Sequence, residues 1–163
     1  MRLLLFILTA CIICLSCKKD NVKAGETVEI YLLKNNQTIT GKCQIDPAVA
    51  TLQDTAIVKN QDILEYYKAN NQFALSDNSM QKMRALADRT PLAVVVDKQV
   101  VYYAILKPSY SSSSCTSSIT VDYVGTGNRI TMNLGYAGAD LDIDDQRNNP
   151  KLLATLKNQG KLR

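Results

Sequence analysis

Hydrophobic and polar positions alternate along much of this chain, and the alternation changes period at a few sharp points. Thr27-Val28-Glu29-Ile30-Tyr31-Leu32-Leu33 is rich in β-branched and aromatic residues and predicts a strand. Asn35-Asn36 predicts a turn, with a returning strand from Gln37 to Gln44. Residues 46–60 hold no strong period and predict a long connection. Asp62-Ile63-Leu64-Glu65-Tyr66-Tyr67 predicts the next strand, and the Asn70-Asn71 turn leads to another at Phe73-Ala74-Leu75. The period then becomes helical. Ser76 or Asp77 can cap the first free N–H groups, and Met80, Met83, Leu86 and Ala87 recur on one face of a helix expected to run to Thr90.

Pro91 ends that helix and opens the most apolar strand, Leu92-Ala93-Val94-Val95-Val96. Asp97-Lys98 turns it back into Val100-Val101-Tyr102-Tyr103-Ala104-Ile105-Leu106, a hairpin expected at the centre of the sheet. Lys107-Pro108 stops the second strand, a Ser-rich loop carries Cys115, and Ser118–Tyr123 with Arg129–Leu134 predict a further hairpin around Gly125-Thr126-Gly127-Asn128. Asn149 as cap, Pro150 in the first turn, Leu152, Leu153 and Leu156 on one face and Gly160 beyond the end predict a C-terminal helix. The fold class is therefore α+β: a mainly antiparallel sheet of hairpins with two helices packed on it.

The segment before this domain has a different character. MRLLLFILTACIICLSCKKD opens on one Arg, continues as an apolar run and switches abruptly to charge. Those are the marks of an export signal, and the run is too short to cross roughly 30 Å of hydrocarbon, which takes about 20 residues. A Cys after a small residue adds an acceptor for a lipid anchor. Leu8-Thr9-Ala10-Cys11 is by residue type the better match, but cutting there leaves a short apolar segment and a hydrophobic mature start. Cutting at Cys17 leaves Lys18, Lys19 and Asp20 in front, and Cys14, preceded by Ile13, fits worst. The expected organisation is a signal peptide at 1–16, a lipidated tether at 17–25 beginning with Cys17, and one domain at 26–163. Lys18 in second position is not the Asp that retains lipoproteins in the inner membrane, so the outer membrane of a Gram-negative bacterium, facing the periplasm or the cell surface, is the expected location. Lys19-Asp20 partly resembles a surface-export signal, with Asn21 in place of a second acid.

Composition adds two exclusions and one bond. The full chain carries 19 Lys and Arg against 15 Asp and Glu, spread without a basic block. Nucleic-acid binding needs clustered Lys and Arg with stacking aromatics, so no nucleic-acid partner is expected. Beyond the export segment only Cys43 and Cys115 remain, in a chain sent to an oxidising compartment. A disulfide is the natural reading, worth about 4 kcal/mol in the chain-entropy model for so long a loop. Two unpaired thiols are the alternative, and two Cys with no His make a poor zinc site.

Two resemblances follow from motifs. Phe73-Ala74-Leu75, the helix to Thr90, and Leu92-Ala93-Val94-Val95-Val96-Asp97-Lys98-Gln99-Val100 resemble the periplasmic head domain of the protein-export subunit SecD, with Lys98 where that family has Gly. This likeness covers about a third of the chain and implies a fold, not a translocation role. Asp62-Ile63-Leu64-Glu65-Tyr66, Val101-Tyr102-Tyr103-Ala104, Ser111-Ser112, Leu134-Gly135-Tyr136-Ala137, Asp145-Gln146-Arg147, Asn149-Pro150 and Gly160-Lys161-Leu162 resemble a family of small secreted or lipid-anchored bacterial proteins that brings no known activity. Tyr103 replaces a Gly and Ala137 a Pro of that pattern.

Catalytic chemistry finds little support. With no His, the usual base for a Ser or Cys nucleophile is missing. A Ser-Lys pair from Lys107 with Ser109 or Ser111 is conceivable, against the plainer reading of a mobile Ser-rich loop. Asp140, Asp142, Asp144 and Asp145 look like the start of a calcium loop, but Asp145 stands where Gly is needed and Lys151 where a bidentate Glu is needed. Gly125-x-Gly127 lacks the Lys-Ser/Thr of a phosphate loop and reads as a turn. The tyrosine pairs 66/67 and 102/103 predict one core and one solvent-facing ring each. Asp54-Thr55-Ala56 matches an O-glycosylation pattern, which makes Thr55 a modification candidate.

The expectation is a lipid-anchored envelope protein that acts as a non-catalytic binding or accessory module. Its expected partners are the bilayer, through the acyl anchor, and another envelope protein. No cofactor or metal is expected. The first binding surface to test is the Ser-rich loop with the outer tyrosines: Tyr102, Tyr110, Ser111 and Ser112. The alternative is an envelope enzyme or protease inhibitor acting through the same loop.

Overall fold

The computed structural model describes residues 26–123, 126–139 and 143–163. The proposed signal peptide, Cys17 and the tether lie outside these, as do Gly125, Asp140 and Asp142. Eight strands form one sheet in the order β2-β1-β5-β6-β7-β8-β4-β3. They are β1 (Val28–Asn35), β2 (Thr51–Leu52), β3 (Ile63–Tyr67), β4 (Gln72–Leu75), β5 (Pro91–Val96), β6 (Gln99–Leu106), β7 (Cys115–Asp122) and β8 (Arg129–Tyr136). Two helices, α1 (Asp77–Arg84) and α2 (Pro150–Asn158), complete an α+β architecture. Every strand pair is antiparallel except β6 with β7.

The β5–β6 hairpin lies near the middle of the sheet, as its apolar content predicts. Alternation then assigns each residue a face. Leu92, Val94 and Val96 join Tyr102, Ala104 and Leu106 on one side, where Met80 and Met83 of α1 and Leu152 and Leu156 of α2 cover them. Ala93, Val95 and Ile105 point the other way, into a smaller cluster with Leu33, Ile45 and Cys115. Both helices thus serve one face, and the opposite face is closed by the chain between β1 and β2.

Local chemistry sets the helix ends. The Ser76 hydroxyl accepts from the Ser79 N–H and donates to Asp62, and Asn149 accepts from the Lys151 N–H with Pro150 in the first turn. Gly160, at φ 69°, takes the left-handed conformation just past α2. α1 is shorter than its apolar spacing predicts, ending at Arg84 instead of Thr90. The cause is competition from β6. Arg89 donates its N–H to Leu106, Leu106 donates to Thr90, and Arg89 itself, at φ 65°, stands in the left-handed region where a helix cannot continue. Leu86 still packs against the core, whereas Ala87 is exposed.

The returning strand expected at Gln37–Gln44 does not form. This stretch folds on itself around a single bridge between Thr38 and Ile45, just beyond it; Ile45 is buried, whereas Ile39 within the stretch is exposed. One tight turn is unusual in composition. Asp97 (φ 50°) and Lys98 (φ 63°) both occupy the left-handed region that the two-residue β5–β6 turn requires. Asp97 is tethered there, because its carboxylate accepts the Thr27 N–H at 2.8 Å, whereas Lys98 is exposed. Replacing Lys98 by Gly should therefore raise stability by about 1 kcal/mol, the scale of a left-handed residue's cost. Urea unfolding checks this through a higher midpoint at unchanged slope.

Candidate functional site

The connection from β6 to β7 is where topology makes its strongest demand. Parallel neighbours ordinarily need a crossover of a dozen or more residues, yet only residues 107–114 join these two strands. Lys107 anchors the start of this return. Its N–H continues the ladder to the Val121 carbonyl, and its side chain turns into the protein with no exposed surface.

A buried ammonium needs an acceptor for each of its three N–H groups. Lys107 Nζ donates to both Asp88 oxygens at 3.0 and 3.2 Å, to Ser111 Oγ at 2.5 Å and to Ser113 Oγ at 2.7 Å. Ser111 in turn donates to Asp88 Oδ2 at 2.7 Å. The Tyr136 ring lies 5.2 Å from the ammonium, and its hydroxyl donates to the carbonyls of Ser109 (3.1 Å) and Ser111 (2.7 Å). Asp122 accepts the Ser109 N–H at 2.9 Å. The loop is thus held from beneath at several points. At its far end Cys115 is bonded to Cys43, at a sequence separation of 72, which ties the loop to the 36–48 segment.

Electrostatics fit this arrangement. Desolvation pushes the Asp88 carboxyl upward, but the hydrogen bonds from Ser111 and Lys107 and the ammonium's charge outweigh it and hold the group below its ordinary range. The Lys107–Ser111 pair sought in the sequence is real as a contact. It is a closed one, because a nitrogen donating three hydrogen bonds has no lone pair with which to take the Ser111 proton.

The remaining sequence candidates are dispersed. Tyr110 is 73 % exposed at the tip of the loop, where its hydroxyl lies 3.5 Å from that of Tyr123, and Ser112 is exposed beside it. Tyr102 does not join them. It is only 5 % exposed, so it belongs to the interior and not to an outer surface. Strand alternation explains this, since Tyr103 takes the half-exposed position and Tyr102 the core one. Burial pushes the Tyr102 phenol well above its usual range, and its hydroxyl has no hydrogen-bond partner. Such an orphan costs about 1–3 kcal/mol. Tyr66 repeats the pattern: its phenol is pushed up to about 12 by burial, but its hydroxyl donates to the Arg147 carbonyl at 2.7 Å.

Thr55 is exposed in the long connection. Asp145 forms a two-point pair with Arg147, and no cluster of three His, Cys, Asp or Glu side chains is gathered among the described residues. Sequence reasoning missed Asp88, Ser113 and Tyr136. Asp88 follows α1 with no spacing signal, and only its meeting with Lys107 gives it a role. Compared with protein-family models, curated proteins and solved structures, the chain matches none. The site is therefore read from its own chemistry.

Two substitutions separate the members of this cluster. Asp88→Asn leaves the buried ammonium without its counter-charge; because the Asp88 side chain is 34 % exposed and partly screened by water, the cost should be about 2 kcal/mol, below that of a fully buried pair. Lys107→Met replaces the charge by an apolar chain of similar length and should cost less, under about 1.5 kcal/mol. Because the folded-state Asp88 carboxyl titrates below its unfolded value, its contribution is complete above the unfolded pKa of about 4 and is lost as pH falls through the folded one. The stability gap between the wild type and Asp88→Asn should thus be widest near neutrality and shrink in acid, as denaturant titrations at a series of pH values will show.

Proposed function

We propose that this protein is a lipid-anchored, non-catalytic binding module of the Gram-negative cell envelope, acylated on Cys17 and presenting the Ser109–Ser114 loop to a partner envelope protein. One observation carries the reading: an exposed loop, with Tyr110 at its tip, is fastened beneath by Lys107 and at its end by the Cys43–Cys115 bond. A surface held in advance of binding loses little conformational entropy when a partner arrives. The Cys43–Cys115 bond supports an oxidising compartment, and the charge switch at Lys18 supports export with an acyl anchor. The closed geometry around Lys107 argues against the loop serines as nucleophiles, so a fluorophosphonate serine probe should leave Ser111 unlabelled. Labelling at Ser111 would move the protein into the enzyme class.

The same bracing favours one second reading, a protease inhibitor that offers Tyr110 to an envelope protease. Tight inhibition of a purified envelope protease, lost in Tyr110→Ala, would select it.

Intact mass of the protein purified from its native membrane tests the anchor. The expected species is cleaved before Cys17, carries a diacyl or triacyl group and gains two hydrogens on reduction. Globomycin, which blocks lipoprotein signal cleavage, should make the precursor accumulate. A mature chain without acyl groups would contradict the envelope assignment.

A further inference from the structure

The chain enters its domain at Glu26, and three elements hold that entry. The Thr27 N–H donates to the Asp97 carboxylate in the β5–β6 turn at 2.8 Å, and the Val28 N–H donates to Asn60 Oδ1 at 2.9 Å. From the end of α2, Asn158 donates to the Glu26 carboxylate at 3.0 Å, and the Gln159 side chain donates to the Glu26 carbonyl at 2.8 Å. Each element carries a lysine next to its contact residue: Lys98 after Asp97, Lys59 before Asn60 and Lys157 before Asn158. Lysines far apart in sequence are thereby gathered at one end of the sheet.

Two more join them. Lys151, at the start of α2, donates to the Gln99 side chain at 2.9 Å and lies 4.0 Å from Asp97, and Lys161 donates to the Asn60 carbonyl at 2.6 Å. The acids of this end are already engaged. Glu26 and Asp97 accept the bonds that fix the entry, while Glu29 accepts from the Tyr31 hydroxyl and Asp62 from that of Ser76. Lys59, Lys98 and Lys157 are exposed, and among the described residues none of the three has a side-chain hydrogen bond or ion pair. They carry the free charge of this end.

The position of the anchor says what that charge meets. Cys17 stands nine residues before Glu26, and nine residues reach about 30 Å at most, so the entry end is the part of the domain held nearest the bilayer. Lys18, Lys19 and Lys23 against Asp20 give the intervening segment the same sign. An anionic membrane surface attracts lysines within roughly a Debye length, about 10 Å, and a basic patch beside an acyl chain supplies the second signal that firm membrane attachment needs. The Ser109–Ser114 loop lies beyond the opposite end of β6, whose 8 residues set it about 25 Å from the β5–β6 turn.

We propose that the entry end of the domain, through Lys59, Lys98 and Lys157, docks on the anionic phospholipid headgroups of the bilayer that holds the anchor, and so directs the Ser109–Ser114 loop away from that bilayer. The inference rests on the acyl-anchor reading for its geometry, but the face itself can be tested without the acyl group.

The first experiment uses the whole mature chain, residues 17–163, as Cys17→Ser, with vesicles of phosphatidylcholine alone or mixed equally with phosphatidylglycerol. It should bind the mixed vesicles, release as salt rises, and ignore the neutral ones. The triple variant Lys59→Gln/Lys98→Gly/Lys157→Gln should bind about a hundredfold more weakly, about fivefold for each lysine removed. Lys34→Gln/Lys68→Gln/Lys82→Gln, which removes equal charge elsewhere, should lose less than about threefold. In the second experiment the acylated protein sits in nanodiscs of the mixed lipid with headgroup spin labels. The amide signals of Lys98 and Lys157 should broaden, and that of Tyr110 should not. No preference for anionic vesicles, equal losses in the two triple variants, undiminished binding by the first of them, or broadening at Tyr110 instead of Lys98 would each overturn the proposal. A native chain without acyl groups would instead remove the anchor and leave the vesicle result for this face standing.

Discussion

An ammonium group removed from water must replace every hydrogen bond it gives up, and in this protein that requirement organises the return from β6 to β7. Lys107 sits at the point where β6 ends, with Asp88, Ser111 and Ser113 around its nitrogen. Asp88 comes from the turn after α1, and the two serines from the loop that must reverse direction within eight residues. The cluster thus joins helix, sheet and loop at one atom. Without it, the polar segment 109–114 has few apolar groups to hold it against the sheet. The Tyr136 hydroxyl and the Cys43–Cys115 bond then fix the two ends of the path that the ammonium sets.

So short a return has a cost elsewhere. β6 and β7 share three ladder pairs at one end of β6 and diverge over the other. The outer edges are treated differently. β2 is only two residues long, and β3 is covered by the C-terminal residues, with Tyr66 donating its N–H to Lys161 and Arg163 donating to Tyr66. Natural sheets shield their edges because unpaired strands recruit other chains. Here both rims are short or covered.

Much of this was legible in the residues themselves, wherever a local signal and a tertiary demand agree. The caps at Ser76 and Asn149, the Asp97-Lys98 turn, the central apolar hairpin and the split of each tyrosine pair into one buried and one half-exposed ring all rest on rules that act within a few residues. The departures arise where a distant partner wins. α1 stops early because β6 takes the backbone of Arg89 and Thr90. The 36–48 segment has strand-like residues but no ladder to join, and it is held by a bond to a cysteine far along the chain. The parallel β6–β7 pairing left no mark in periodicity, since a strand reads alike in either direction. Lys107 and Ser111 could be paired from spacing, but Asp88, which closes the cluster, could not.

The central claim is that Lys107 is a buried, fully hydrogen-bonded ammonium that pins the Ser-rich return. A nitrogen–proton correlation spectrum of the lysine side-chain ammonium groups tests it most directly. The account predicts one ammonium signal that persists at neutral pH through slow exchange with water, shows restricted rotation, and is lost in Lys107→Met. If every lysine ammonium instead exchanged and rotated like an exposed one, the cluster would not exist in solution and the fixed loop built on it would fall.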